Sequence, residues 1–197
     1  ELINKAKSID SSLDPMRIKG RIQTLLPYSA TDILDWGERN LAPLRDASTK
    51  KTNILNEMNR INAFGWLEDA KNASCKPPSF LDRFTAKPPH FYEAVLTKCR
   101  GEMMSFVTSL EKMKKEFERE VKDLHLDALA LTVCCDQYID LNTKQCAVER
   151  AKTLRLAHQT AAMLFTTIEQ TMQQCSNAVQ QIDSFVSVTL PNWKMMK

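Results

Sequence analysis

Glycine and proline, the residues that most often interrupt a helix, are nearly absent from the larger part of this chain. The 197 residues include four glycines and eight prolines, and neither type occurs from Glu102 to Leu190. Because these residues mark most turns, nothing in that stretch forces the backbone out of a helix. Few turn signals and little β-branched alternation together predict an all-α fold.

The sequence also lacks the marks of several protein classes. The net charge is only +3, from 27 basic and 24 acidic residues that are mixed along the chain, which does not favour a nucleic-acid partner. No apolar run approaches the ~20 residues of a membrane span, and no signal-peptide pattern is visible at the N-terminus. We therefore expect a cytoplasmic protein without a membrane span, while peripheral membrane association stays open.

The composition is that of a globular chain, with 43% hydrophobic and 26% charged residues. Its length predicts one domain, or one long bundle with a smaller helical part. The chain begins at Glu1 and not at a methionine. We therefore expect it to be a fragment, which leaves room for a targeting segment or a tail outside it.

Apolar residues recur with a helical period through the second half of the chain. One series steps by four and three residues for more than four heptads, which is an a/d seam and predicts a left-handed supercoil. Its members are Leu154, His158, Ala161, Phe165, Ile168, Met172, Cys175, Val179, Ile182 and Val186. The remaining faces are rich in Gln and Thr and nearly uncharged.

A similar series precedes it and predicts a second long helix that begins at about His90. The series comprises Val95, Cys99, Met103, Phe106, Leu110, Met113, Phe117, Val121, Leu124, Ala128, Leu131, Cys135 and Tyr138. Turn chemistry between the two series is confined to Asp136–Lys144, so we place a hairpin there, with Asn142 or Thr143 capping the next helix. That helix is expected to end at about Thr189, before Leu190-Pro191.

These patterns predict an elongated helical bundle built on a long antiparallel, coiled-coil-like hairpin, with shorter N-terminal helices packed on it. Asp14-Pro15 is a typical helix start, Ser29 or Thr31 caps a further helix, and Pro43 predicts a kink or break. Two Pro-Pro pairs mark a linker. The predicted segments are an N-terminal helical segment 1–71, a proline-rich linker 72–90 and the hairpin 91–197.

The six cysteines are scattered, which is typical of reduced thiols that pack as small hydrophobic groups. Cys134 and Cys135 are adjacent, and neighbouring side chains on a helix point about 100° apart, so a shared metal ion is not favoured. We interpret the pair as core residues first and as reactive thiols second. A thiol role requires a lowered pKa and access to solvent.

No other pattern in the sequence points to catalysis, a cofactor or a metal ion. There is no Ser/His/Asp set, no useful pair of carboxylates and no glycine-rich phosphate loop, and each glycine is isolated. His158 lies on the a/d seam, where a polar layer that fixes the helix register is more common than a ligand. The nine methionines are interpreted as core filling, with a pliable partner-binding surface as the alternative.

Three segments resemble the TelA/KlaB-type toxic-anion (tellurite) resistance family. The last long helix matches at Arg150, Leu154 and Gln159-Thr160-Ala161, and the chain finishes with Leu190-Pro191-Asn192-Trp193-Lys194, similar to the family's Pro-x-Trp-Lys ending. Ile33–Gly37 and Phe80–Phe84 are similar to two earlier family segments. The departures are a short region from Leu124 to Cys146 and Asn192 in place of leucine.

The resemblance implies a helical protein of tellurite, toxic-anion or envelope-stress resistance that works as a non-enzymatic scaffold or adaptor. It implies a protein partner and supplies no catalytic residues; Gln159, Pro191, Trp193 and Lys194 are the signature candidates. Two alternatives stay open. One is thiol-based handling of oxyanions through surface cysteines, with Cys134 and Cys135 as candidates. The other is a generic coiled-coil interaction domain of another family. The long helices also allow a homo-oligomer.

Overall fold

A computed structural model describes residues 1–75 and 87–196, and within these ranges the fold is all-α, as predicted, with no strand. No helix in the described part is both long and apolar enough to cross a membrane. The helices are α1 Leu2–Ile9, α2 Pro15–Leu25, α3 Ala30–Asp35, α4 Glu38–Ile61, α5 Ala63–Cys75, α6 Pro89–Cys134, α7 Leu141–Ser184 and α8 Leu190–Met195.

The starts of α2 and α3 follow the capping signals in the sequence. The side chain of Asp14 accepts a 2.9 Å hydrogen bond from the backbone N–H of Met16, and Pro15 takes the first helical position, where its missing N–H costs nothing. Ser29 and Asp32 form a reciprocal capping box that begins α3. Both caps confirm the sequence prediction, with Ser29 rather than Thr31 at the second.

The α4 helix is continuous through Pro43, so the predicted break is absent. Proline removes one hydrogen bond, to the carbonyl of Arg39, and the bonds on either side hold the helix together. Asn62, with a φ of 51°, separates α4 from α5. The predicted linker 72–90 is helical at both ends, because α5 reaches Cys75 and α6 begins at Pro89.

The hairpin turn lies where the sequence placed it. A 3-10 turn, Cys135–Gln137, follows α6, and α7 begins at Leu141. The capping residue is Asp140 and not Asn142 or Thr143. Its carboxylate accepts 2.7 Å and 2.6 Å bonds from the backbone N–H and the hydroxyl of Thr143. An aspartate acceptor satisfies a free N–H at the helix start more strongly than the threonine hydroxyl does.

The chain divides into two compact units. Unit 1 comprises Glu1–Ser48 and Lys114–Thr166, and unit 2 comprises Thr49–Met113 and Thr167–Lys197. This division does not follow the predicted segments 1–71, 72–90 and 91–197, because each long helix contributes to both units.

The core of unit 1 surrounds the last turns of α6. All six residues from Leu126 to Leu131 are buried, so the helix is covered on every side there. Ile18, Ile22 and Leu25 of α2 are buried in the same unit. The Tyr138 hydroxyl donates a 2.8 Å hydrogen bond to the carbonyl of Leu25, which joins the hairpin turn to the end of α2.

Unit 2 contains its own core of long apolar side chains. Leu96 and Leu110 of α6 and Ile182 of α7 are fully buried, and the Cys175 thiol donates to the sulfur of Met58 at 3.4 Å. The Arg100 guanidinium pairs with the Asp183 carboxylate. Full burial of each of the three aliphatic side chains contributes about 1.5–3 kcal/mol to stability.

Half of the predicted a/d seam on α7 is displaced by one residue. Leu154, Ala161, Ile168, Cys175 and Ile182 are buried as predicted. The second predicted row is only half-buried: His158, Phe165, Met172, Val179 and Val186. The buried row is instead Leu164, Thr171, Ala178 and Phe185. Because threonine and alanine are only weakly apolar, the hydrophobic pattern favoured the neighbouring, more apolar row.

Helical backbone does not end at Leu190-Pro191. A π-helical turn, Phe185–Thr189, follows α7, and the N–H of Leu190 bonds to the carbonyl of Phe185, five residues back. Pro191 then lies in the first turn of α8. The predicted end is therefore wrong: the wide turn and the new helix start tolerate a proline that has no N–H to donate.

Candidate functional site

The most polar place in the core of unit 1 is the carboxylate of Asp127 on α6. The residue is 4% exposed. Its Oδ1 accepts a 2.6 Å bond from Arg21 Nε, and its Oδ2 accepts a 2.6 Å bond from Asn40 Nδ2. Burial raises the pKa of this carboxyl, and the contacts with Arg21 and Asn40 oppose the rise. Both oxygens of the Asp127 carboxylate therefore have a hydrogen-bond partner that holds them in place.

Arg21 extends this site into a network between α2 and α6. Its second nitrogen, NH2, lies 2.7 Å from Asp123 Oδ1, and Arg17 NH2 lies 2.6 Å from the same oxygen. Two guanidinium groups thus face two carboxylates, and their side chains are partly shielded from solvent. A partly buried pair of this kind adds little net stability, but removal of one partner is costly because it leaves the other charge unpaired.

Trp36 and Gly37, between α3 and α4, lie directly on this network. Trp36 Nε1 donates to the carbonyl of Asp127 at 3.3 Å, and the carbonyl of Trp36 accepts a 2.7 Å bond from Arg150 Nε. Gly37 has a φ of +77°, and a Cβ there would lie 2.8 Å from Leu154 Cδ2. A side chain at this position would be strained twice, so the site requires glycine.

A cleft of about 440 Å³ opens beside Asp127. Tyr28 and Trp36 form an aromatic wall, with ring centroids 5.8 Å apart in an edge-on arrangement. The remaining lining carries three carboxylates and one guanidinium: Asp32, Asp35, Arg39, Gly37, Asn40 and Asp127. A lining with this charge suits a cationic or hydrogen-bond-donating ligand.

Sequence reasoning missed this cleft. Its residues come from α3, α4, α6 and the segment that precedes α3, and no local motif joins them. The one available signal is Trp36-Gly37 between two helical patterns, where a glycine after an aromatic residue marks a tight connection. Among the described residues, no group of three or more His, Cys, Asp or Glu side chains is arranged to hold a metal ion.

The two reactive-thiol candidates lie in the core of unit 1. Cys134 is fully buried and Cys135 nearly so. Burial raises the pKa of Cys134 to about 11 and also raises the pKa of Cys135, whose thiol donates to the carbonyl of Leu131 at 2.9 Å. Neither residue is the surface cysteine that thiol chemistry requires. Cys75 is exposed and Cys146 is half-buried.

His158 contacts a second histidine across the hairpin. The rings of His125 and His158 are 5.0 Å apart, and His125 Nε2 lies 2.9 Å from the Asp10 carboxylate. Burial, and secondarily the positive charge of His125, lower the pKa of His158. The expected polar layer on the seam is therefore a histidine pair.

The residues that carry the family resemblance fall in different places. Pro191, Trp193 and Lys194 belong to the C-terminal turn of unit 2: Trp193 is buried, with its ring 5.7 Å from that of Tyr92, and Lys194 Nζ lies 2.7 Å from Glu93 Oε2. Gln159 is exposed on α7 in unit 1. The Phe80–Phe84 segment lies outside the described residues.

Comparison of the chain with protein-family models, curated proteins and solved structures gives no match.

Proposed function

We propose that this protein is a cytoplasmic toxic-anion (tellurite) or envelope-stress resistance protein, similar to the TelA/KlaB type, that acts as a non-enzymatic helical scaffold or adaptor for a protein partner. The proposal joins the sequence resemblance to two features of unit 1. One is the contact between the resembling segments, and the other is an exposed neutral helix face.

The observation that carries the proposal is the contact between two resembling segments more than a hundred residues apart. Arg150 Nε donates to the carbonyl of Trp36, and Arg150 NH2 lies 3.1 Å from Glu38 Oε2. Leu154 is fully buried and lies directly against Gly37. Matching residues that meet around one connection are what a shared helical architecture predicts, whereas matches produced by heptad composition alone have no reason to meet.

The adaptor role is supported by one face of α7. Its exposed residues between positions 156 and 166 carry no charge, and Leu156 and Met163 are 64% and 71% exposed. We call this set the neutral face: Leu156, Gln159, Thr160, Ala162, Met163 and Thr166. By contrast, every exposed residue of α6 from 114 to 122 is charged. Exposed apolar groups without interspersed charge are typical of a surface that contacts another protein.

The first test is growth of a tellurite-sensitive bacterium that expresses the protein, with and without its six cysteines. Protection by both versions is the expected result, because Cys134 and Cys135 lie in the core. Protection only by the cysteine-containing version would replace the scaffold mechanism with thiol chemistry. If neither version gave protection as well-expressed soluble protein, the resistance role would be wrong and a generic coiled-coil interaction domain would remain.

A second test addresses the neutral face. The double variant Leu156→Lys, Met163→Lys is expected to lose protection, since two charges must be desolvated when a partner binds. Its helical content should be unchanged, because both side chains are largely exposed. Met16→Lys is the matched control, since Met16 is 74% exposed on α2. Equal protection by the double variant and the control would show that the neutral face does not bind a partner.

A further inference from the structure

The cleft beside Asp127 contains a buried polar side chain with one unused atom. Asn40 is 8% exposed and its Nδ2 faces Asp127 Oδ2. A carboxylate only accepts hydrogen bonds, so the amide oxygen of Asn40 must be turned away from it. In the part of the chain that the structure describes, Asn40 Oδ1 accepts no hydrogen bond, and it is not enclosed in the core. An amide oxygen that accepts no hydrogen bond at the wall of a cleft is suited to accept one from a ligand.

The rim of the cleft adds a carboxylate that has no ion pair among the described residues. Asp32 is occupied, because its Oδ2 accepts from the N–H and the hydroxyl of Ser29. Asp35 is exposed and lines the same cleft. Asn40 and Asp35 thus offer acceptor oxygens that the fold itself does not use.

The aromatic wall supplies a third element of recognition. The indole of Trp36 is held by its bond to the carbonyl of Asp127, and Tyr28 lies edge-on against it. A fixed indole is the best aromatic partner for a guanidinium or ammonium group, and such contacts contribute most where water is partly excluded. Arg39, which also lines the cleft, opposes a cation and limits its affinity.

We propose that this cleft binds a guanidinium or ammonium group, and that in the adaptor this group is the arginine or lysine side chain of the partner polypeptide. The second half of the proposal rests on the proposed adaptor function. The cation forms an ion pair with Asp35, donates to Asn40 Oδ1 and contacts the aromatic wall. A tellurite-type oxyanion is the wrong charge for this lining, so the cleft binds the partner and not the toxic anion.

The test uses the indole N–H signals of the three tryptophans in the 15N-labelled 197-residue protein. N-acetyl-argininamide, and separately a short peptide with two arginines, are titrated in, with N-acetyl-glutaminamide as the uncharged control. We expect a saturable shift of the Trp36 signal, while Trp66 and Trp193 of unit 2 serve as internal references. The signals are assigned from Trp36→Phe. The absence of saturation, or equal shifts of all three signals, would overturn the proposal.

Two substitutions change the affinity in opposite directions. Asp35→Asn should weaken binding about three- to tenfold, and Arg39→Gln should tighten it about two- to fivefold, as expected for partly exposed charges. Asp46→Asn is the matched control, an exposed aspartate on α4 outside the cleft, and should have no effect. Wild-type affinity for Asp35→Asn would place the cation elsewhere and overturn the assignment.

The two ligands distinguish the source of the cation. Tighter binding of the peptide supports a polypeptide partner, whereas equal affinity for the capped arginine would overturn that half of the proposal and leave a small-molecule site. Binding is measured independently of the growth assay, so the cation site and the resistance role can each be refuted without the other. Protection without binding removes the cation site alone, and binding without protection removes the resistance role alone.

Discussion

Arg21 and Asp127 lie 106 residues apart in sequence, and Arg21 Nε donates a 2.6 Å hydrogen bond to Oδ1 of Asp127. The contact joins α2 to the buried end of α6. The bond also fixes the floor of the cleft, since the other oxygen of Asp127 faces Asn40. The same carboxylate therefore contributes both to the packing of α2 on α6 and to the lining of the cleft.

Removal of one partner of this pair should be costly. Arg21→Met leaves the buried Asp127 carboxylate with Asn40 as its side-chain partner, and we expect a loss of about 3–5 kcal/mol in the free energy of unfolding. Arg17→Met, which affects a more exposed guanidinium on the same helix, should cost less than about 1 kcal/mol. Urea unfolding of the two variants measures the difference. Equal effects would show that Asp127 does not need Arg21.

Substitution of alanine for each of the two glycines of unit 1 should change the stability of the protein in opposite directions. Gly37→Ala places a Cβ at positive φ and 2.8 Å from Leu154, so we expect a loss of about 1–3 kcal/mol. Gly20 lies within α2 and a Cβ there has nothing within 4 Å. Gly20→Ala should therefore stabilise the protein by about 0.5–1 kcal/mol. Thermal unfolding of both variants tests this, and a tolerated Gly37→Ala would contradict the geometry of the connection.

The histidine pair predicts a pH dependence of stability. The pKa of folded His158 lies below its ordinary value of 6.5, so the unfolded chain binds more protons as the pH falls. The stability that neutral His158 contributes is fully present above about pH 6.5 and is lost as the pH falls below that value. We expect the free energy of unfolding to fall as the pH drops below about 6.5, and His158→Gln to reduce the fall. The control His90→Gln, at an exposed histidine, should leave this fall in the free energy of unfolding unchanged.

A second fall in stability, below about pH 4, has a separate cause. Hydrogen bonds from Ser12 and His125 lower the pKa of Asp10 from 3.8 to about 2. The stability that this carboxylate contributes is present above pH 3.8 and disappears as the pH approaches 2. The His158 contribution begins to fall near pH 6.5 and the Asp10 contribution only near pH 3.8, so the two onsets can be separated in one titration. An unchanged slope near neutral pH in His158→Gln would show that His158 does not contribute to the pH dependence of stability.

The order in which the cysteines react with an alkylating reagent should follow their exposure to solvent. Burial raises the pKa of both Cys134 and Cys175 to about 11, and Cys75 is exposed. In native protein at about pH 8, iodoacetamide should modify Cys75 first, and the buried thiols should react only after denaturation, since the thiolate is the nucleophile. Peptide mass spectrometry at successive times gives the order. Early modification of Cys134 would restore it as a reactive thiol.

Much of the fold was predictable because helix signals are local. The caps at Asp14 and Ser29 and the hairpin near Asp136 depend on neighbouring residues, and the structure confirms all three. Of the kink or break predicted at Pro43, the break is absent, because one missing hydrogen bond does not break a helix whose neighbouring bonds are intact. Pro191 misled for a related reason, since a π-helical turn precedes it.

The seam on α7 shows where pattern alone fails. Thr171 is buried, and its hydroxyl donates to the carbonyl of Thr167 at 2.8 Å, which satisfies a polar group that sequence reasoning would place outside. Met172, next to it and more apolar, is only half-buried. A difference of one residue in register cannot be read from hydrophobicity when the buried row contains threonine and alanine.

By itself, the sequence determined that this protein is helical, where its long helices run and where they turn back, because propensity, capping and periodicity act within a few residues. Only the tertiary structure decided that Asp127, Asn40, Asp35 and Trp36 share one cleft, and it confirmed that Cys134 and Cys135 lie in the core. These contacts join residues up to a hundred positions apart, and their geometry depends on how whole helices pack.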